Sequence, residues 1–250
     1  LQGDWSSDVC SSDLILLAFV SEIIGTVSGF GSSILFVPVA SLFFDFKTVL
    51  GVTAVFHVFS NLSKIALFRT GIEKDVAIKL GIPAVLFVIL GAWITTFVQA
   101  QQMELYMNMV LVALAVYLLF NFNKQIKQTD TNLYTGGAAS GFLAGLVGTG
   151  GAIRGIVLAA FSLPKTIFIA TSALIDLGVD VSRTVVYVYN GYFAKQFLIL
   201  IPFLIGISFF GSYTGKLVLK FTSEKMFRYI VLITIIVTSV LQTIKYFSGK

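Results

Sequence analysis

The octapeptide His57-Val58-Phe59-Ser60-Asn61-Leu62-Ser63-Lys64 lies inside a long apolar run, and 119 positions later the chain reads Asp176-Leu177-Gly178-Val179-Asp180-Val181-Ser182-Arg183. In this register His57 meets Asp176, Asn61 meets Asp180, Ser63 meets Ser182 and Lys64 meets Arg183. The i, i+4, i+7 spacing of the outer three positions places each set on one face of a helix. The same shift brings Gly29 onto Gly148, Gly31 onto Gly150, Ile34 onto Ile153 and Ile82-Pro83 onto Ile201-Pro202. A single internal duplication accounts for all of these matches.

Working outward from the octapeptides, the apolar blocks run over about 14–28, 32–45, 48–68, 76–98 and 103–122, and then over about 136–148, 151–163, 166–189, 195–218 and 224–247. The order is two short blocks and three long ones, given twice. A helix needs about 20 residues to cross a hydrocarbon core of about 30 Å, so the long blocks are long enough and the short ones are not. Across the 250 residues, 57% are hydrophobic and 12% charged, and mean hydropathy is +0.94. A soluble domain carries about 25% charged residues. The net charge of +5 comes from scattered Lys and Arg, which excludes a nucleic-acid-binding patch, and disorder and a disulfide-stapled secreted module are excluded as well.

The expected fold is all-α: a polytopic helical membrane protein of two homologous repeats, each a short Gly-broken hairpin plus three transmembrane helices. Residues 1–13 clash in composition with the rest, hold the sole cysteine, Cys10, and lack the basic start and small-residue cleavage site of a signal peptide. They read as a non-native segment. The remainder, 14–250, is one transmembrane domain: repeat one over 14–122, a polar linker over 123–135 and repeat two over 136–250. If each short pair is a re-entrant hairpin, each half crosses three times and the second half is inverted. One face then gathers Arg69, Lys74, Lys79, Lys124, Lys127, Lys165, Lys216, Lys220, Lys225 and Arg228, against Lys47, Lys195, Lys245 and Lys250 on the other. Taking each pair as one broken crossing evens that split out. The positive-inside rule therefore selects inverted repeats, with the linker in the cytoplasm and both termini outside.

Two turns, Ser28-Gly29-Phe30-Gly31-Ser32-Ser33 and Gly148-Thr149-Gly150-Gly151, each precede a short apolar segment. Such turns let a ligand approach the backbone closely, and a helix N-terminus behind them attracts an anion. Close helix packing is the bland reading of the same glycines. Arg154 follows the second turn in an otherwise featureless apolar run. Its fork of donors suits an anionic substrate, while an ion pair with Asp176 or Asp180, or a shallow position reaching water, explains it equally. Lys64 and Arg183 join it as candidate anion-attracting groups. His57, Asp176 and Asp180 are candidates for proton coupling; against this, Asp180 and Arg183 can neutralise one another and His57 can be a hydrogen-bonded core residue. Glu22 carries the same ambiguity. There is no Walker sequence and no His-Glu-x-x-His, and one histidine cannot build a metal site alone. The expectation is a non-enzyme without metal or cofactor.

The duplicated module, with Gly29-Phe30-Gly31-Ser32-Ser33 before Pro38 and Gly148-Thr149-Gly150-Gly151 before Pro164, resembles the sulfite exporter TauE/SafE family over about Leu14 to Tyr246. The resemblance implies a multi-pass protein of the bacterial inner membrane that moves sulfite, an organosulfonate such as sulfoacetate, or another small organic anion. The family's Gly-x-Gly-Gly-Gly pattern is altered here: Ser32 and Ser33 replace glycines in the first turn and Ala152 the last glycine of the second. Serine hydroxyls donate hydrogen bonds to an oxyanion, so the substitutions bear on which anion is taken. The expected partners are a small anionic substrate and the lipid bilayer. An anion channel and a non-transporting scaffold remain the alternatives, the latter at odds with so many ionisable residues inside apolar blocks.

Overall fold

The computed structural model describes residues 11–69, 71–120 and 127–221, together with positions 223, 229, 236, 240 and 244. Residues 1–10, with Cys10, the first part of the expected linker and most of the expected last block, 224–247, lie outside the described residues. Among the described residues the secondary structure is helical and contains no strand.

The first glycine turn joins α1 (Ser11–Ser28) to α2 (Ser33–Ala40), and α3 (Phe46–Leu67), α4 (Lys74–Ile94) and α5 (Ala100–Phe120) follow. The second turn joins α6 (Asp130–Val147) to α7 (Gly151–Ala159), followed by α8 (Lys165–Tyr189) and α9 (Ile201–Leu219). The starts are set by local chemistry. The Asp45 carboxylate accepts a hydrogen bond from the Thr48 amide at the head of α3, and the Thr129 hydroxyl accepts one from the Asn132 amide at the head of α6. Each cap satisfies one of the amides that a helix start leaves unpaired. Because of the Thr129 cap, part of the segment expected as linker is already helix from Asp130 onward. The long block expected over 195–218 is also divided: a 3₁₀ turn, Lys195–Leu200, leads into α9, where Pro202 sits in the first turn. Proline is tolerated there because its missing N–H has no partner in any case.

By length and composition α3, α4 and a segment running from Phe197 to the end of α9 can cross a membrane. α8 is longer still, at 25 residues, but carries Asp176, Asp180 and Arg183. The outer stripe of α4, with Ile78, Ile82, Leu86, Ile89 and Trp93, is exposed, while Val76, Leu80, Ala84 and Val88 on its opposite face are buried. An apolar stripe turned outward is the mark of a helix whose solvent is hydrocarbon.

The most extensive packing joins α4 to α6, and the next joins α1 to α9. Gly137, Gly141 and Gly145 line the α6 side of the first contact. A Cβ at any of them would run into the backbone of α4, at the Leu80, Ala84 and Val88 carbonyls. Small residues spaced four apart let two backbones touch, which is how helices associate where lipid removes the hydrophobic incentive. Between these two packed pairs lies α3 against α8, and that seam holds the polar residues.

Candidate functional site

Both glycine turns reach the same interior space. Gly29 and Gly31 have φ of +69° and +85°, and Gly148 has +79°, a left-handed backbone that residues with a Cβ adopt only under strain. The turns deliver the N-termini of α2 and α7 to one cavity, walled by Gly31, Ser32 and Ser33 on one side and by Gly148, Gly150 and Gly151 on the other. α3 contributes His57, Ser60, Asn61 and Lys64; α7 contributes Arg154; α8 contributes Asp176, Asp180 and Arg183. Its volume is about 20 Å³, space for about one water molecule. Nothing larger than a water molecule fits unless the side chains around this space give way. A smaller adjoining cavity of about 10 Å³ is lined by Gly29, Lys64, Ser172 and Asp176, among others.

Every cation in the wall is paired with a carboxylate. The Arg154 fork faces Asp176 with both nitrogens and donates from Nε to the Ser172 hydroxyl at 3.2 Å. That hydroxyl in turn donates to the Gly29 carbonyl at 3.3 Å, tying the second hairpin to the first turn. Arg183 meets Asp180 one turn back on its own helix at 2.7 Å, and its Nη1 donates to the Ala144 and Gly148 carbonyls at 3.1 and 3.0 Å. Its Nε is buried without a hydrogen-bond partner among the described residues, a spare donor on a side chain of the wall. Lys64 meets Glu22 of α1 at 2.9 Å. Three buried cations therefore stand against three carboxylates, Glu22 and Asp180 buried and Asp176 part-buried. Stripping one partner from such a pair costs about 3–5 kcal/mol, since the other charge is left unpaired in a medium of low dielectric.

Asn61 donates to Asp180 at 2.6 Å, so the two positions related by the 119-residue shift touch one another. His57 lies between the two hairpins. Arg183 has only donors to offer, so its contact at 3.1 Å makes His57 Nδ1 the acceptor. The ring proton is then on Nε2, 2.9 Å from the Ser32 hydroxyl, which donates its own proton to Glu22 Oε2 at 3.0 Å.

The structure thus gathers Gly31, Ser32, Ser33, Gly148, Gly150, Gly151, Arg154, Lys64, Arg183, His57, Asp176 and Asp180 around one space. Gly29 lines the adjoining cavity, while Phe30 and Thr149 are outside both linings. Phe30 packs its ring against Gly155 instead. Sequence reasoning missed Ser60, Ser172 and Ser212. Ser60 shares the helical face of His57 and Lys64, a signal that was available; Ser212 lies on a helix whose other buried residues are apolar or small, and only packing brings it to Glu22, at 2.7 Å.

Comparison with known proteins agrees with this architecture. The chain is 28% identical over 237 residues to a protein of Methanocaldococcus jannaschii described as "Probable membrane transporter protein MJ0441", covering 84% of this chain and 86% of that protein. No solved structure matches. The model of the family described as "Sulfite exporter TauE/SafE" matches residues 14–241, which include both glycine turns and all three ion pairs of the polar seam. With its paired hairpins closing on a charged interior inside an apolar coat, the chain belongs to the sulfite exporter TauE/SafE family of membrane transporters.

Proposed function

We propose that this transporter is a multi-pass secondary carrier of the cytoplasmic membrane that moves a small anion, sulfite or an organosulfonate or organic anion, by alternating access together with a proton. Two inverted repeats form the carrier, and the anion binds between them at the two glycine turns. Support for the repeat comes from packing: α4 on α6 answers α9 on α1, α3 on α9 answers α8 on α4, and α3 meets α8 across the centre. Carriers built from such repeats hold their substrate at the repeat interface.

The observation that carries the reading is the Arg154–Asp176 pair at the mouth of α7. A carboxylate is itself a small oxyanion, so Asp176 occupies the guanidinium fork that a sulfite or sulfonate group would take. An anion entering alone would meet a cavity whose cations are all engaged. An anion entering with a proton meets a different one, because the proton neutralises one of the paired carboxylates and releases its cation. The total charge of the cavity is then unchanged by loading, which is what a low-dielectric site tolerates. Arg183, with its unpartnered Nε, supplies a second donor, and the N-termini of α2 and α7 add amide dipoles of the same sign.

Uptake of labelled sulfite, sulfoacetate and chloride into proteoliposomes, with and without an imposed pH gradient, tests this. Saturable, gradient-accelerated uptake of a sulfur oxyanion with counterflow supports the carrier. Flux without saturation or counterflow identifies a pore, and no flux of any of the three from folded protein removes the assignment of substrate class.

A further inference from the structure

Glu22 is fully buried and is the most heavily hydrogen-bonded carboxylate of the polar seam, yet the anion site does not use it. It lies on α1, outside the cavity lining. Its Oε1 receives the Ser60 hydroxyl at 2.8 Å, the Ser212 hydroxyl at 2.7 Å and the Lys64 ammonium at 2.9 Å, and its Oε2 receives Ser32 at 3.0 Å. A pairing role for Lys64 would need one such contact. The remaining contacts hold the carboxylate in one orientation, with Oε2 aimed at Ser32.

Ser32 is placed to cap α2, and a serine in that position ordinarily turns its oxygen to the free amides of the first turn. Here it makes no such bond. The hydroxyl is instead shared between Glu22 and His57 Nε2. Gly25 keeps it there: a Cβ at position 25 would collide with the backbone of Ser32, so the turn folds directly onto α1. Arg183, His57, Ser32 and Glu22 form one unbroken chain of hydrogen bonds of 3.1, 2.9 and 3.0 Å. It runs from the cavity wall to a carboxylate behind it.

We infer that Glu22 is the residue that holds the coupled proton, delivered from the cavity through His57 and Ser32; the inference rests on the carrier reading above. When Arg183 turns to an anion, it vacates His57 Nδ1, and a proton from cavity water bonds there. The Nε2–H bond of His57 then breaks as a new O–H bond forms on Ser32, and the proton formerly on Ser32 passes to Glu22 Oε2. One proton has entered, Glu22 is neutral, and His57 is neutral with its hydrogen now on Nδ1. Release of the anion lets Arg183 return: the Nδ1 hydrogen leaves as a proton to cavity water while the proton on Glu22 passes back to Ser32 and the Ser32 proton to Nε2, so the chain is reset with one proton released. The charged and titratable groups around Glu22 are Lys64 and His57 from α3 and, through His57, Arg183 and Asp180 from α8. On α9 the nearby Lys216 is engaged elsewhere, at the Leu67 carbonyl. Hydrogen-bonded chains of this kind polarise along their length and are a known form of intramembrane proton relay.

The test compares wild type, Glu22→Gln, Ser32→Ala and Ser32→Thr in two assays. In proteoliposomes with labelled sulfite, Glu22→Gln is expected to retain sulfite counterflow at equal pH and lose all acceleration by a pH gradient. Retained acceleration overturns the relay and leaves the carrier standing. Absence of sulfite flux in wild type counts against the carrier, and the second assay then judges the relay alone. It follows the infrared carboxylic-acid C=O band of detergent-solubilised protein after a pH drop. Wild type is expected to gain a band that Glu22→Gln lacks; a band of equal size in the variant overturns the assignment. Since Glu22→Gln leaves Lys64 buried without its anion and can fail to fold, Ser32→Ala is the second variant. It keeps the Glu22–Lys64 pair, and the band is expected to rise at least tenfold more slowly, with the rate restored in Ser32→Thr. An unchanged rate in Ser32→Ala overturns the role of the hydroxyl.

Discussion

Replacing Asp176 with Asn is expected to make the protein less stable when no anion is present and more responsive when one is. The substitution preserves the size of the side chain and removes the negative charge from a pair whose arginine is 2% exposed and whose acid is 15% exposed. The uncompensated guanidinium costs about 3–5 kcal/mol. For a chain of this length, 1 kcal/mol corresponds to about 2–4 °C in Tm, so the anion-free variant should melt about 6–20 °C below wild type. The same carboxylate competes with any anion for Arg154. Removing about 3 kcal/mol of that competition tightens anion binding by about a hundredfold, each tenfold being about 1.4 kcal/mol. Anion at a hundred times its Kd then returns about 2.7 kcal/mol, or about 5–10 °C. The assay is a thermal melt of purified protein in detergent, with sulfite, sulfoacetate or chloride titrated in. An Asp176→Asn variant that melts like wild type, or that gains no more from sulfite or sulfoacetate than wild type does, refutes the claim that the carboxylate stands where the substrate binds.

Removing both charges, as Arg154→Ala with Asp176→Ala, should cost less stability than Asp176→Asn alone, since no ion is stranded, and should abolish the response to anion in the same melts. Gly141→Leu should separate α4 from α6, because even a Cβ at this position meets the Ala84 backbone. We expect a loss of more than about 3 kcal/mol, beyond the usual 1–3 for an overpacked core, read as loss of monodisperse protein on size exclusion after extraction. Tyr187→Phe deletes the buried hydroxyl that donates to the Gly145 carbonyl and should lower stability by about 1 kcal/mol, with sulfite counterflow unchanged.

The helices were legible because hydropathy and length are local properties, and the 119-residue register predicted which faces would share an interior. The i, i+4, i+7 pattern placed His57, Asn61 and Lys64 on the buried side of α3, and there they are. What could not be read was which ion pairs with which. From spacing, Arg154 had Asp176 and Asp180 as equal candidates, four residues apart on one face. The choice was made by Asn61, which holds Asp180 from α3, and by Arg183, one turn away on the same helix. The role of Ser32 was hidden for a similar reason. A serine before a short helix suggests a cap or an anion donor, and only the approach of α1 at Gly25 turns it to Glu22. The start of α6 was missed by overlooking Thr129 as a cap, a signal present in the chain itself.

The three ion pairs of the polar seam differ in how far apart their members lie along the chain, and a ribosome feels that difference as time. Asp180 and Arg183 are neighbours on one helical turn, so α8 leaves the insertion machinery with that charge already cancelled. Glu22 is separated from Lys64 by 42 residues and from Ser212 by 190. At about 5–20 residues per second, α1 waits about 2–8 s for its cation and about 10–40 s for its last hydroxyl. Through that interval α1 must carry its carboxyl group without these partners or remain beside the insertion channel. The order of synthesis therefore makes Glu22 the last of the three carboxylates to gain its described partners.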